Sequence, residues 1–422
     1  MKRHQPIAIL YQAIQPPTID GILKPCKPGG YKDSGADIAF NLLAANRTIV
    51  TPQRGMLHLH DMLIRMMSVD DAKLWDDLEW VFPDSKEGIE ECLKKGAKVI
   101  WANTVLFEEH PLHDLIRAQQ KQVESQCEVS EWCGLDLRGV EFVGQHPKLV
   151  QQFDDKFDTN QMLKKENLPV ANSLIVSTRE KLEEMKLLGF YKEGIKILEE
   201  LSEESLRENG IEFPLIIKPV RGRGSEGVEK VDNFDSFVEK STQLINQTIQ
   251  VNNKPVPKYG YYFIVEEFLN GDELTLTVMP PGNYIMYDIQ EMEFSNHWAL
   301  PPVKRFNHQN GVAPYNGIVA VVNNSVVLKD FDSDEAIQKI IKACEKAAEL
   351  VQAKAPIRID CRSHQTSDSV EFKMFDLNMK PNMTGPGRDN RDNQDSLSAI
   401  AAREIGWNYQ DLLLMILNQS WH

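Results

Sequence analysis

Two short segments near the C-terminus place the tightest limit on how this chain can fold. Ile357-Arg358-Ile359-Asp360-Cys361 and Phe375-Asp376-Leu377-Asn378-Met379 both alternate apolar and polar residues. That period of two belongs to a β-strand, whose successive side chains point to opposite faces. Arg358 and Asp360 therefore share a face, and so do Asp376 and Asn378. If the two strands pair, three oxygen ligands and one guanidinium meet on one surface. Asp, Asp and Asn are hard donors suited to Mg²⁺ or Mn²⁺ rather than zinc. A fixed guanidinium beside them can hold a phosphate or a developing oxyanion. A solvent-facing sheet would alternate in the same way. Phe372 and Met374, however, carry apolar bulk onto the face expected for Asp376, which predicts a covered surface where a purine could pack.

The rest of the chain reads as three units, 1–150, 151–262 and 263–422. In the first, strands at Ile7–Tyr11, Thr48–Val50, Val99–Trp101 and Phe142–Val143 alternate with helical patterns at Ala36–Ala45 and Ser85–Lys95. That rhythm predicts a parallel, doubly wound sheet. Asp84 and Glu87 resemble a capping box for the second helix. Gly29-Gly30 lies between the first strand and its helix, where it is either an anion-receiving turn or a surface loop. In the second unit, Asp158 and Gln161 are expected to cap a helix over 159–166, ahead of Pro169. Strands follow at Ser173–Val176 and Phe213–Lys218, and the charged run Arg179–Asn209 between them reads as helical with a solvated face. The third unit is expected to open with strands at Phe263–Phe268 and Leu274–Met279. A helix over 334–353 carries Ile337, Ile340, Ile341, Cys344, Ala348 and Val351 on one face. A last helix spans Ser396–Ile405.

Two further stretches carry chemistry. Lys218-Pro-Val-Arg221-Gly222-Arg223-Gly224-Ser225-Glu226-Gly227 ends a strand in a lysine and continues as a glycine-rich loop. Glycines let backbone N–H groups approach phosphate oxygens, while Lys218, Arg221 and Arg223 add positive charge. The spacing fits neither a Walker A loop nor a GxGxxG turn. In Val265-Glu266-Glu267-Phe268-Leu269-Asn270-Gly271-Asp272-Glu273, a strand runs into a turn and out again. Extended backbone there can pair with an adenine edge, and Glu273 suits a ribose diol; an acidic hairpin is the plainer reading.

The 422 residues carry 47 Lys+Arg against 62 Asp+Glu, a formal charge of −15. A duplex nucleic acid or an anionic membrane is therefore excluded as the main partner. The six cysteines, Cys26, Cys92, Cys127, Cys133, Cys344 and Cys361, form no CxxC pair, so zinc and thioredoxin-like chemistry are not expected. No stretch is long enough for a membrane span, and the run Ile7–Tyr11 is too short for a signal core. Cytoplasmic localisation with reduced thiols follows as the expectation.

Taken in order, these motifs resemble the ATP-grasp superfamily and, within it, the D-alanine–D-alanine ligase-like carboxylate–amine ligases. Asp155-Lys156, Ile217-Lys218-Pro219 with its loop, Val265–Glu273, Arg358-Ile-Asp360, Asp376-Leu-Asn378 and Pro381–Leu397 carry the resemblance over about residues 140–420. It implies a three-domain α/β architecture (α+β lobes) behind an N-terminal parallel-sheet domain. ATP and two Mg²⁺ (or Mn²⁺) ions would be the cofactors, with a small-molecule carboxylic acid and an amine, amino acids among them, as substrates. A homodimer is compatible with it. Lys156, Lys218, Arg221, Gly222, Gly224, Ser225 and Gly227 would serve the nucleotide phosphates and the mobile lid. Glu266, Glu267 and Leu269 would line the adenine edge and Glu273 the ribose. Asp360, Asp376 and Asn378 would hold metal. Arg358 would stabilise the acyl phosphate and the tetrahedral intermediate, with Lys304 or Arg305 beside the transferred phosphate. Ser396, Arg388 and Gly30 would face substrate.

The sequence also departs from that family. Asp376 stands where Glu is usual, and Gly224 stands where D-alanine ligases carry Ser. The 383–396 segment is longer and holds Arg388, Asp389, Arg391, Asp392 and Asp395, which predicts an acceptor other than D-alanine. His308 is read first as structural, as are His58, His60, His110 and His113 in loops. Other outcomes of the same resemblance are a carboxylase, a phosphotransferase, or a non-catalytic ATP-binding regulatory protein.

Overall fold

The computed structural model describes residues 5–422 except 25, 61–68, 124–131, 133, 223, 252, 287–289, 309–310, 312–320 and 366–368. Cys127, Cys133 and Arg223 thus lie outside the described residues.

Three sheets of five or six strands follow one another along the chain. The first contains β1 (Ile7–Tyr11), β2 (Ile49–Thr51), β3 (Gly55–Leu57), β4 (Phe82–Pro83), β5 (Val99–Asn103) and β6 (Glu141–Val143). Its order is β3-β2-β1-β5-β6, with β4 also pairing β1. All pairs are parallel except β2 with β3. Parallel strands need crossovers, which α1 (Lys32–Ala44), α2 (Lys86–Lys94) and α3 (Pro111–Val123) supply. Because β1 has β2 on one side and β5 on the other, the strand order reverses there. In such sheets the crevice beyond the strand C-termini is the usual place for a ligand. Ser85, not Asp84, caps α2 by accepting from Gly88 N. Asp84 instead accepts from Ala13 N and Ile14 N at 2.7 and 2.9 Å and from the Thr104 hydroxyl, holding two loops at that edge.

After α4 (Pro147–Phe153) and α5 (Lys156–Lys165), the second sheet contains β7 (Ser173–Ser177), β8 (Lys196–Ile197), β9 (Leu215–Pro219), β10 (Glu229–Val231) and β11 (Phe263–Glu267). The order is β8-β7-β11-β9-β10. β11 was expected to open the third unit; it sits instead between β7 and β9 in this sheet. Its five residues are all buried, which a central strand requires. Asp155, not Asp158, caps α5. The charged run after β7 is not one helix: α6 (Arg179–Leu188) ends at Gly189 in the left-handed region, β8 follows, and α7 (Glu203–Glu208) begins at a Ser202 cap. The interruption places Leu198 and Leu206 in the core beneath the sheet. There they pack with α8 (Phe234–Ile245), whose Phe237, Leu244 and Ile245 join the same cluster.

The third sheet is antiparallel, in the order β15-β14-β12-β16-β17, where β12 is Glu273–Met279, β13 Trp298–Ala299, β14 Val303–Arg305, β15 Ser325–Val327, β16 Ile357–Gln365 and β17 Val370–Asn378. The helix α9 (Glu335–Leu350) covers one face. Ile337, Ile340, Ile341, Cys344, Ala347 and Ala348 pack there on Leu274, Leu276, Val278, Ile357, Ile359 and Cys361. Each of the isoleucine, leucine and valine side chains among them stabilises the fold by about 1.5–3 kcal/mol on full burial. The Cys344 and Cys361 sulfurs are 3.5 Å apart as buried thiols. The chain closes with α10 (Leu397–Glu404) and a helix the sequence reading missed, α11 (Tyr409–Asn418), capped by Asn408. No described helix is long and apolar enough to cross a membrane.

Candidate active site

With one face of the third sheet given to α9, the other carries the polar residues. Strand registers arrange them in rows. Arg358 lies opposite Asn378 and Thr277, and Asp360 opposite Asp376 and Thr275. Glu273 lies opposite Arg305 on β14 and Arg362 on β16. The pairing of the two alternating segments is therefore direct. Between Asp360 and Cys361 the register shifts, so that Cys361 pairs with Met374 and Phe375 is an extra residue on β17. Such a bulge resets the alternation. Phe372 and Met374, expected beside Asp376, turn instead into the core with Cys361 and α9.

Asp360 is buried. Its Oδ1 accepts from the Thr275 hydroxyl at 2.8 Å, and its Oδ2 from Arg358 Nη2 at 3.0 Å. Burial pushes the Asp360 carboxyl above the ordinary carboxylate range; Arg358 pulls it down, while Asp376 and Glu273 push it further up. Asp376 shows the opposite balance. Burial would raise it, but the Lys156 ammonium, which donates to its Oδ1, outweighs that with help from Lys218 and Arg358. The pair of facing carboxylates is thus split into one that resists ionisation and one held ionised. Asn378 Oδ1 accepts from Lys380 N at 3.0 Å.

Three lysines tie β17 to the second sheet and α5. Besides Lys156 on Asp376, Lys218 donates to both Glu266 oxygens at 2.7 and 2.8 Å and to the Phe375 carbonyl at 3.0 Å. Lys373 donates to Glu267 at 2.9 and 3.1 Å. Burial raises the Glu266 carboxyl despite Lys218. The β11–β12 connection, Phe268–Asp272, lies between these pairs. Leu269 is buried, and Gly271 carbonyl oxygen accepts from Arg362 Nε at 3.1 Å. Glu273 is 2.9 Å from His308 Nε2, so its carboxylate already has a partner; His308 is a structural neighbour of the site.

The glycine-rich loop links β9 to β10, which pair as a hairpin from Leu215↔Val231 to Ile217↔Glu229. Gly224 and Gly227 have φ of 58° and 72°, and Ser225 has 57°. A Cβ on Gly227 would lie 2.9 Å from Pro219 Cγ, so the turn needs glycine there. Gly222 adjoins Arg221. That arginine, expected on phosphate, is buried at the loop base, where it donates to Gln151 carbonyl oxygen at 3.1 Å and faces Asp154 at 3.5 Å. The acidic edge between α4 and α5 satisfies its charge.

The two cations on β14 separate by strand parity. Arg305 shares the face of Glu273 and Asp360; Lys304 pairs opposite Leu274 and reaches Asp272 at 2.7 Å. Of the residues expected to face substrate, Gly30 has φ of 61°, and a Cβ would lie 2.2 Å from Gln12 carbonyl oxygen. Its own carbonyl accepts from Gln12 N and its N–H donates to Lys27 carbonyl oxygen, so the turn braces the end of β1. Ser396 caps α10 through Ala399 N at 3.2 Å. Arg388 is buried against α1 and contacts Asp37 and Asp77. Of the expected histidines, His110 is fully buried against Asp84 at 3.2 Å, and His58 lies 2.8 Å from the Thr48 hydroxyl. Sequence reading missed Thr275, although Leu274-Thr275-Leu276-Thr277-Val278 alternates in the same period of two. It also missed Phe375, whose position depends on the bulge, and Asp37.

Residues 211–300 match a family described as the ATP-grasp domain. A D-alanine–D-alanine ligase of Actinobacillus succinogenes is 25% identical over 208 residues, covering 49% of this chain and 54% of the relative. One of Acinetobacter baumannii is 24% identical over 296 residues, covering 69% of this chain and 73% of the relative. The chain thus spans about half the length of the first and nearly three quarters of the second. A Bacillus anthracis D-alanine–D-alanine ligase solved with ATP superposes with a TM-score of 0.55 at 14% identity, covering 98% and 97% of the two chains. An Enterococcus faecalis D-Ala:D-Ser ligase gives 0.51 at 13%, covering 99% of each. At such identities the solved structures speak to the fold. Residues 211–300 thus resemble the ATP-grasp domain, and the fold as a whole is similar to that of the solved D-alanine–D-alanine ligase. More narrowly, the chain's likeness among curated proteins falls on enzymes named D-alanine–D-alanine ligases.

Proposed function

We propose that this chain is an ATP-dependent ligase that joins a small carboxylic acid to an amine through an acyl phosphate, releasing ADP and phosphate. The observation that carries the reading is the pairing of Arg358-Ile-Asp360 with Asp376-Leu-Asn378, which sets a guanidinium beside three oxygen donors on one face. Lys218, Glu266 and the Phe268–Asp272 connection would receive the nucleotide between the second and third sheets, and Gly222–Gly227 would close over its phosphates. The donor set fits a divalent ion. Asp360 carries a carboxyl that burial and Asp376 drive toward neutrality, and a cation between the two would remove that penalty. Among the described residues no three His, Cys, Asp or Glu side chains gather into a metal cluster. Two carboxylates and one amide, completed by phosphate oxygens, is a usual Mg²⁺ arrangement. Asp360, Asp376 and Asn378 would hold Mg²⁺, which supplies neutralisation of phosphate charge when bound.

The remaining work belongs to the protein's own groups. A substrate carboxylate oxygen attacks the γ-phosphorus and ADP departs; the closed loop keeps water from the acyl phosphate. The amine nitrogen then attacks the carbonyl carbon, Arg358 holds the oxyanion, and phosphate leaves as the nitrogen gives up a proton. Arg305, on the site face, is the cation suited to the transferred phosphate. Positioning accounts for most of the acceleration in such a scheme. Cytoplasmic residence fits reduced thiols at Cys26, Cys92, Cys344 and Cys361 and these small-molecule substrates. The test is a screen of acid and amine pairs, amino acids included, for amine-dependent phosphate release with Mg²⁺ and ATP. Phosphate release without an amide product would favour a phosphotransferase, and no turnover with any pair would refute the ligase.

A further inference from the structure

The loop after Asn378 is fastened to the first helix through one carboxylate. Asp37 lies in the α1 run Ala36-Asp37-Ile38-Ala39-Phe40, a lone acid among buried apolar residues, and is itself 0% exposed. Its Oδ1 accepts from Arg388 Nε at 2.9 Å and from Arg391 Nε at 2.7 Å. Its Oδ2 accepts from Arg391 Nη2 at 2.7 Å and from the Thr384 hydroxyl at 2.9 Å. A buried carboxylate is stable only when its lone pairs and charge are met, and here four donors and two guanidinium groups meet them. Arg388 continues to Asp77 at 2.7 Å and to the Asp33 carbonyl at 3.1 Å. One turn along α1, Asn41 Nδ2 donates to the Pro386 carbonyl at 3.0 Å. Every one of these bonds joins residues 384–391 to the N-terminal unit.

The geometry points to Asp37 as a positioning residue for the amine side of the reaction. It fixes the 384–391 loop between Asn378, which ends the metal-facing strand, and Ser396, which opens α10. The loop's arginines turn inward to α1, so their role is to set the loop's shape. Nucleotide groups lie elsewhere: Lys218 and Glu266 are on the second sheet, and none of their hydrogen bonds reaches α1. The term "amine side" rests on the proposed ligase; the fastening itself does not. Removing the Asp37 charge should free the loop and misplace the acceptor while the nucleotide site stands.

Asp37→Asn keeps the volume, removes the charge and sets an NH₂ group against donors. Amides of 383–391 should then exchange with deuterium about tenfold faster, with β16 and β17 unchanged. Mg·ADP affinity by calorimetry should stay within about twofold, while the KM for D-alanine, used as the probe amine, should rise about tenfold at unchanged ATP KM. Unchanged exchange over 383–391, or ADP affinity falling in step with the amine KM, would overturn the assignment. Should Asp37→Asn fail to fold, Thr384→Ala removes one donor from the same carboxylate. It should speed the same amides to a smaller degree, and no change there would equally overturn it. Absence of turnover with D-alanine in the unmodified protein would count against that amine in the ligase reading, while the exchange experiment would still decide the role of Asp37.

Discussion

Replacing Asp360 with asparagine should make the nucleotide-free protein more stable while removing its response to Mg·ADP. At neutral pH the buried Asp360 carboxylate carries several opposing terms. Taking it out of water costs several kcal/mol. The facing Asp376 charge, about 5 Å away across an antiparallel pair, adds about 3 kcal/mol of repulsion at an effective dielectric near 20. Arg358 at 3.0 Å returns about 5 kcal/mol on the same scale, and the Thr275 hydrogen bond about 2. The raised carboxyl shows that burial and the neighbouring carboxylates outweigh Arg358 and Thr275. A carboxyl raised on folding binds more protons folded than unfolded, so stability falls as pH climbs through the interval between its ordinary and raised positions. Asparagine does not titrate. Asp360→Asn should therefore match the parent at low pH, where Asp360 is protonated, and melt above it at pH 7. In the parent, Mg·ADP at a hundredfold excess over its Kd should add about 2.7 kcal/mol. The variant should lose most of that increment. Thermal melts at pH 4 and 7, with EDTA or with Mg·ADP, measure both arms. A variant less stable than the parent at pH 7 with EDTA, or one that keeps the full Mg·ADP increment, would refute the reasoning.

Lys218→Met leaves Glu266 buried without its ammonium and should cost about 3–5 kcal/mol by denaturant melts; adding Glu266→Gln should recover most of that stability but not ATP affinity. Arg305→Ala should reduce turnover by about tenfold or more, whereas Lys304→Ala, on the other strand face, should stay within about twofold; equal losses would remove the parity argument. Amide exchange over 221–228 should slow when a non-hydrolysable ATP analogue binds, and equal exchange with and without it would sink the closing loop.

What could be read from the sequence was whatever obeys a local period. The parallel first sheet, the α9 stripe and the facing of Arg358-Ile-Asp360 onto Asp376-Leu-Asn378 all follow from spacings of two or about 3.6. The capping residues were harder, because Asp84, Ser85, Asp155 and Asp158 are all competent caps and only the backbone decides which one stands at the turn. Phe263–Glu267 was placed in the wrong sheet since an apolar strand does not record its partners; β7 and β9 lie about 90 and 45 residues earlier in the chain, and such long-range pairing leaves no local mark. The charged 383–396 loop read as a substrate surface because the carboxylate that neutralises two of its arginines sits on α1, some 350 residues away. Composition showed the charges; only tertiary structure showed that they were already matched.

The bulge at Phe375 has a consequence for insertions and deletions. Removing that one residue would leave Cys361 opposite Met374 and Asp360 opposite Asp376 in an unbroken ladder, so neither the core nor the row of oxygen donors would change sides. What would vanish is the carbonyl that Lys218 grips from the second sheet. Losing Leu377 instead would make Asp376 and Asn378 neighbours in the strand, and neighbours point to opposite faces, so the two could no longer share one row. The strand therefore tolerates loss of length at the bulge, where the sheet would remain intact while its tie to the nucleotide-side lysine is severed.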